Sequence, residues 1–197
     1  GSVHSFHALA RELRVTPWGR RLAPRLRQAA REEIRHARSM RSEAHARGVA
    51  VPRQTFSRPS PARSLFDIAL ENAREGCAFE TYSALSAAHQ ARHAADPELR
   101  ARFARIAEDE TNHAELAWDL HRRFLRELPR QQASALDATL RRALRELAGD
   151  DVMSPSSAPV APELLDIGLP DARVERHLRS ELARALEARA DELDARV

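Results

Sequence analysis

The sequence predicts an all-α protein built from long helices packed as a bundle. Three observations carry this. Alanine and leucine supply much of the 43% apolar content, while aromatics make up 5% and only six glycines occur. Strand-favouring β-branched and aromatic residues are too sparse for sheets. Apolar residues recur at three- and four-residue spacing over stretches near thirty residues, the period of a helix with one buried face.

Taken in order, residues 3–13 read as a short helix with Val3, Phe6, Leu9, Ala10 and Leu13 inward. Thr16-Pro17-Trp18-Gly19 breaks it. A long helix then runs to about Arg47 and closes at Gly48. Pro24 either starts this helix or kinks its first turns. Its inward face carries Leu22, Leu26, Ala29, Ala30, Glu33, His36 and Met40.

Residues 48–62 hold three prolines and little periodicity. Extended at roughly 3.3 Å per residue, such a stretch crosses about 45 Å, the length of a thirty-residue helix. It can therefore return the chain to the far end of a bundle. Helices over 62–93 and 96–126 follow, joined by a short turn that makes them antiparallel neighbours. Asp96 and Pro97 supply the N-cap and first turn of the second.

After Pro129 an amphipathic helix runs to about 148. A Pro-rich linker leads to a last helix near 171–195, with Val174, Leu178, Leu182, Ala185 and Leu193 inward. The expected organisation is a bundle over 1–126 and a C-terminal helical appendage over 127–197, packed on the bundle or serving as a homodimerising arm.

All 32 basic residues are arginine, yet the net charge is only +3 because acids are interspersed with them. Solvated helix faces with i,i+4 pairs explain this pattern better than a nucleic-acid surface, since no basic block is interleaved with aromatics. Cys77 is the only cysteine, so no intrachain disulfide forms. No apolar run approaches membrane-spanning length. A cytoplasmic protein without a membrane span is expected.

The chemistry lies in a repeated motif. Glu32-Glu33-Ile34-Arg35-His36-Ala37 and Asp109-Glu110-Thr111-Asn112-His113-Ala114 share an acid, then Glu-x-x-His, then alanine. Three residues is nearly one helical turn, so Glu33 and His36 share a face, as do Glu110 and His113. A carboxylate and an imidazole on one face, presented twice, suit two metal ions held between helices. The acids one residue earlier, Glu32 and Asp109, are candidates to orient the histidines from outside: Asp109 on His36, Glu32 on His113. Solvated surface acids are the plainer reading.

The 62–93 helix should add a carboxylate. At about 100° per residue, Ile68, Glu75, Phe79 and Tyr82 face inward, Glu71 lies about 40° from Glu75, and Glu80 about 140° away. In an antiparallel hairpin, residues at one height average to the turn; Glu75 with His113 averages 94, against a turn near 95. Glu75 is therefore the expected ligand and Glu71 the alternate. Gly76, beside it in mid-helix, suggests a π-bulge, a close backbone approach, or simple small-residue packing. Tyr82 reads as a hydrogen-bonding or redox neighbour of the site, or as core, and Cys77 as a small buried filler. His45, His89, His93, His121 and His177 read as surface or ordinary core histidines.

The stretch from Glu71 to Trp118, with REEIRHARSM before it, resembles the ferritin-like di-iron carboxylate superfamily, and looks nearest to its bacterial ferritin-like domain proteins. The resemblance covers roughly residues 3–125. It implies an up-down-down-up four-helix bundle with a long crossover between helices 2 and 3. It also implies a metal set of Glu33, His36, Glu75, Glu110 and His113 holding two iron ions, with manganese as the alternative.

One ligand of that family pattern, a first-helix glutamate about thirty residues before Glu33, has no counterpart here. Either it precedes Gly1 or the site is degenerate. His4 and His7 are the substitutes that the first helix offers. The implied function is an oxidoreductase that activates O2 or peroxide toward a small-molecule substrate, or that oxidises iron. The alternative is a non-enzymatic helical interaction protein with a degenerate metal site.

Overall fold

In the computed structural model, residues 2–52, 63–149 and 162–194 are described, except for the side chains of residues 2–4, 162, 163 and 194. Every element among the described residues is helical and no strand occurs there. The proline-rich crossover over 53–62 and the linker over 150–161 lie outside them. The chain divides into two compact units, Gly1–Ile68 and Ala69–Val197.

The first unit is a helical hairpin. Helix α1 (Ser2–Glu12) passes through a short 3-10 turn (Leu13–Val15) into α2 (Pro17–Ala46). Thr16 ends one element and starts the next: its hydroxyl donates to the Leu13 carbonyl at 2.9 Å and accepts from the Gly19 N–H at 2.9 Å. Pro17 occupies the first turn, where no N–H is needed. Because α2 starts here, Pro24 lies inside the helix, on its exposed side. Phe6, Leu9, Ala10 and Leu13 pack against Ala23, Leu26, Ala29 and Ala30 to form this unit's core. The carboxylate of Glu12, the one glutamate on α1, accepts from Arg63 at 2.7 Å. Gly48, in the left-handed region at φ 75°, closes α2 as its sequence requires.

The second unit begins within one continuous helical run: α3 (Leu65–Glu71), a π-helical segment (Asn72–Glu80) and α4 (Thr81–His93). It turns at Ala94–Asp96 into α5 (Pro97–Glu127), whose first N–H groups are capped by Asp96, which accepts from the Glu98 N–H at 2.8 Å. As the short turn demands, α4 and α5 pack side by side.

Helices α6 (Arg130–Ala148), α7 (Pro162–Asp166) and α8 (Ala172–Asp194) complete the unit. α6 packs on the π segment and on α8. Its stripe of Leu136, Leu140, Leu144 and Leu147 is fully buried, each leucine contributing about 2 kcal/mol.

The expected boundary between 126 and 127 thus falls inside a compact unit. α6 packs on the π segment as well as on α8, so the C-terminal helices share the core of the second unit. On α8 the buried positions are Ala183, Leu186 and Ala190, one residue beyond the expected stripe, and Ala185 is exposed. Arg189 fixes this rotation: its guanidinium pairs with Glu115 at 3.0 Å and lies over the Trp118 ring at 4.6 Å.

Residues 166–168 clamp the end of α4. The Ala95 N–H donates to the Asp166 carbonyl at 2.9 Å, and Gln90 Nε2 donates to the Ile167 carbonyl at 3.2 Å. Gly168 sits at φ 78°, and a Cβ there would fall 2.6 Å from the Ala94 nitrogen. Both the backbone angle and the space exclude a side chain. Gly168→Ala is expected to destabilise the fold by about 2–3 kcal/mol, combining left-handed strain with overpacking. Urea denaturation measures this, and an unchanged midpoint would refute the clamp.

Candidate metal centre

Within the second unit, Glu80, Glu110 and His113 each bring one ligand atom to within 4.8 Å of the others. Glu110 and His113 come from α5, which is regular from Pro97 to Glu127, so the Glu-x-x-His spacing keeps them on one face. His113 Nδ1 lies 3.7 Å from Glu110 Oε2. Both residues are buried, at 7% and 2% exposure for Glu110 and His113. Ionisable groups this deep are costly to hold without compensating charge or hydrogen bonds.

Glu80 is the residue that sequence spacing places elsewhere. The expected ligand, Glu75, is exposed and ion-paired with Arg74, which also reaches Glu146 at 2.7 Å. The cause is the π segment. A π-helix closes its bonds from i to i+5, turning about 82° per residue instead of 100°. Measured from Ile68, an unbroken α-helix puts Glu75 about 20° off the inward direction and Glu80 about 120° off. With π geometry over Asn72–Glu80, Glu75 swings to about 75° and Glu80 comes within about 25°. Glu71, on the last turn of α3 before the π segment, is half-buried and is not among the residues that close on Glu110 and His113.

Local chemistry supports the π turn. Asn72 Nδ2 donates to the Ala117 carbonyl on α5 at 3.0 Å and faces Cys77 Sγ at 3.8 Å. Gly76 admits α5 closely, since a Cβ there would lie 2.7 Å from Ala117 Cβ. At the exit, the Thr81 N–H bonds back to Ala78, and the Thr81 hydroxyl takes the Cys77 carbonyl at 2.7 Å. A side chain thus replaces the backbone donor lost where π returns to α. Both readings of Gly76, a π turn and a close approach, therefore hold. Cys77 is a fully buried filler, and burial pushes its thiol pKa well up.

In the first unit, Glu33 and His36 share a face of α2, with His36 Nδ1 3.5 Å from Glu33 Oε1 and both half-buried. Glu32 accepts from Gln28 at 2.5 Å and pairs with Arg35 at 3.5 Å, both on its own helix. Asp109 is half-buried on α5. His7 is exposed on α1, and the His4 side chain lies outside the described residues.

Tyr82 stands away from the cluster. Its hydroxyl donates to Glu175 on α8 at 3.2 Å, and the Arg179 guanidinium lies 5.0 Å from its ring centroid. Two residues from Glu80 is about 200° around the helix, so Tyr82 faces α8 when Glu80 faces α5. Partial burial and the Glu175 carboxylate raise its pKa.

Glu80 left two traces in the sequence. Glu80 and Glu110 average to 95, the height of the turn, closer than Glu75 with either Glu110 or His113. The small residues Ala73 and Ala78, like Asn72 and Cys77, stand five apart, which is the π spacing.

The donor set fits a metal. Two carboxylates and an imidazole suit iron, manganese or zinc. Their mutual distances approach twice a metal–ligand bond of about 2.0–2.2 Å, so small rotations close them on one ion. Among the described residues no helix is long and apolar enough to cross a membrane. No protein family, curated protein or solved structure matches the chain.

Proposed function

We propose that this chain binds iron, with manganese as the alternative, and acts as an oxidoreductase on O2, peroxide or iron itself. The observation that carries this reading is the convergence of Glu80, Glu110 and His113 in the second unit. The sequence resemblance adds Glu33 and His36 as the other half of a dinuclear set, and Glu80 takes the place that spacing assigns to Glu75. Iron held by such ligands supplies one-electron chemistry toward O2 or peroxide. The chain's own part is to hold the ligands. Glu110 and His113 are fixed by burial on a regular helix. Glu80 is half-buried and is aimed by the π segment. Carboxylates are the donors that best offset the charge of an oxidised metal. A small-molecule substrate would be set by the access route to this cluster.

A second reading is a helical interaction protein with a degenerate metal site. The engagement of Glu12 by Arg63 favours it, because the one glutamate of α1 is thereby committed to an ion pair.

Metal analysis after anaerobic addition of ferrous iron separates the two. The proposal expects about two irons per chain. Glu33→Ala/His36→Ala should lower this to about one, and Glu110→Ala/His113→Ala should abolish it. A parent chain that takes up no metal would establish the second reading.

A further inference from the structure

The last turn of α4 carries a second pair of metal-ligating side chains, distinct from the cluster around Glu110. His89 and His93 stand four residues apart, and their rings stack with centroids 4.1 Å apart and planes 30° from parallel. His89 is half-buried and His93 exposed, so both imidazoles are within reach of solvent. Two imidazoles on successive turns of a rigid helix form a preorganised chelate. A metal bound at about 2.0–2.1 Å to each needs ring nitrogens about 3 Å apart. With centroids 4.1 Å apart, the two rings can share one ion once each turns about its side-chain bonds to aim a nitrogen lone pair at it.

We propose that His89 and His93 form a surface site for a late divalent transition-metal ion, with copper(II) bound most tightly and nickel or zinc less so. Imidazole is a favoured donor for these ions, and copper(II) stands at the top of the affinity order for a given nitrogen site. The pair sits at the C-terminal end of α4, where the helix dipole presents its negative pole to a cation. Two positive groups oppose this, Arg92 and Arg100, the latter donating to the Ala94 and Ala95 carbonyls at 2.7 and 2.9 Å. Water fills the remaining coordination positions. Partial burial, with His93 and Arg92 nearby, lowers the pKa of His89, which favours the neutral imidazole that a metal binds.

The inference does not depend on the iron-binding proposal. It is tested by titrating the 197-residue chain with copper(II), read by calorimetry and by the nitrogen couplings in the copper resonance spectrum. The expected result is one tight site with two nitrogen ligands. His93→Ala should weaken that site by about 100-fold or more, as loss of a chelating arm does. His89→Ala should do the same, with circular dichroism confirming that each variant keeps its helix content. His93→Asn serves as the exposed-site check should either alanine variant fold poorly. Copper affinity and nitrogen couplings unchanged in the variants would overturn the proposal. So would binding spread over other histidines with one nitrogen each.

Discussion

Glu80→Ala is expected to weaken metal binding by about 100-fold or more, while Glu75→Ala leaves it unchanged. Removing a group that merely orients a ligand typically costs 10–100-fold, so losing a ligand should cost at least the upper figure. Glu80 closes on Glu110 and His113, whereas Glu75 is exposed and bound to Arg74. The two glutamates share one helical run five residues apart, and only the π segment decides which faces α5. The comparison therefore tests the helix geometry as well as the ligand assignment. Equilibrium dialysis against ferrous or manganous ion measures it. The reverse result, with Glu75→Ala abolishing binding and Glu80→Ala silent, would mean that this run is α-helical throughout.

The second large effect is acid destabilisation through His121. This residue is buried on α5, its ring edge-on to Trp118 with centroids 5.9 Å apart. Burial pulls its pKa down to about 4, only partly opposed by the Asp137 carboxylate. The unfolded chain titrates near the ordinary value of about 6.5. Above that pH the ring is neutral in both states and contributes no pH dependence. Between about 6.5 and 4 the unfolded state binds a proton that the folded state refuses, so stability falls as pH falls. The difference corresponds to roughly 3 kcal/mol lost by pH 4.

Urea denaturation at pH 7 and pH 4 should show the parent losing about that much more than His121→Gln. Asp67, Glu115 and Asp171 have lowered pKa values, each held down mainly by hydrogen bonds, and they also lose stabilisation in acid. They do so equally in both proteins, and the difference isolates the histidine. Equal losses in parent and variant would show that His121 is protonated inside the fold.

Where the chain is regular, its sequence was legible to the residue. α5 is α-helical from Pro97 to Glu127, so Glu110 and His113 meet as the three-residue spacing requires. Thr16, Asp96 and Gly48 mark helix ends because capping is local chemistry, set by one side chain and the next few amides. Glu75 leaves its expected face for a single reason. Face assignment multiplies an assumed rotation by the number of residues, and at about 18° per π residue the error reaches about 55° at Glu75 and about 145° at Glu80.

The sequence by itself determined the helical class of the described residues, the ends of several helices and the two Glu-x-x-His faces, since each depends on periodicity and neighbours within a turn or two. Only the tertiary structure decided that Glu80 joins Glu110 and His113, that Tyr82 turns to Glu175, and that α6 and α8 share a core with α4 and α5. Those outcomes depend on Asn72 reaching the Ala117 carbonyl, on Gly76 admitting α5 and on Arg189 seating over Trp118. Each joins residues at least forty positions apart, a distance over which helical periodicity carries no information.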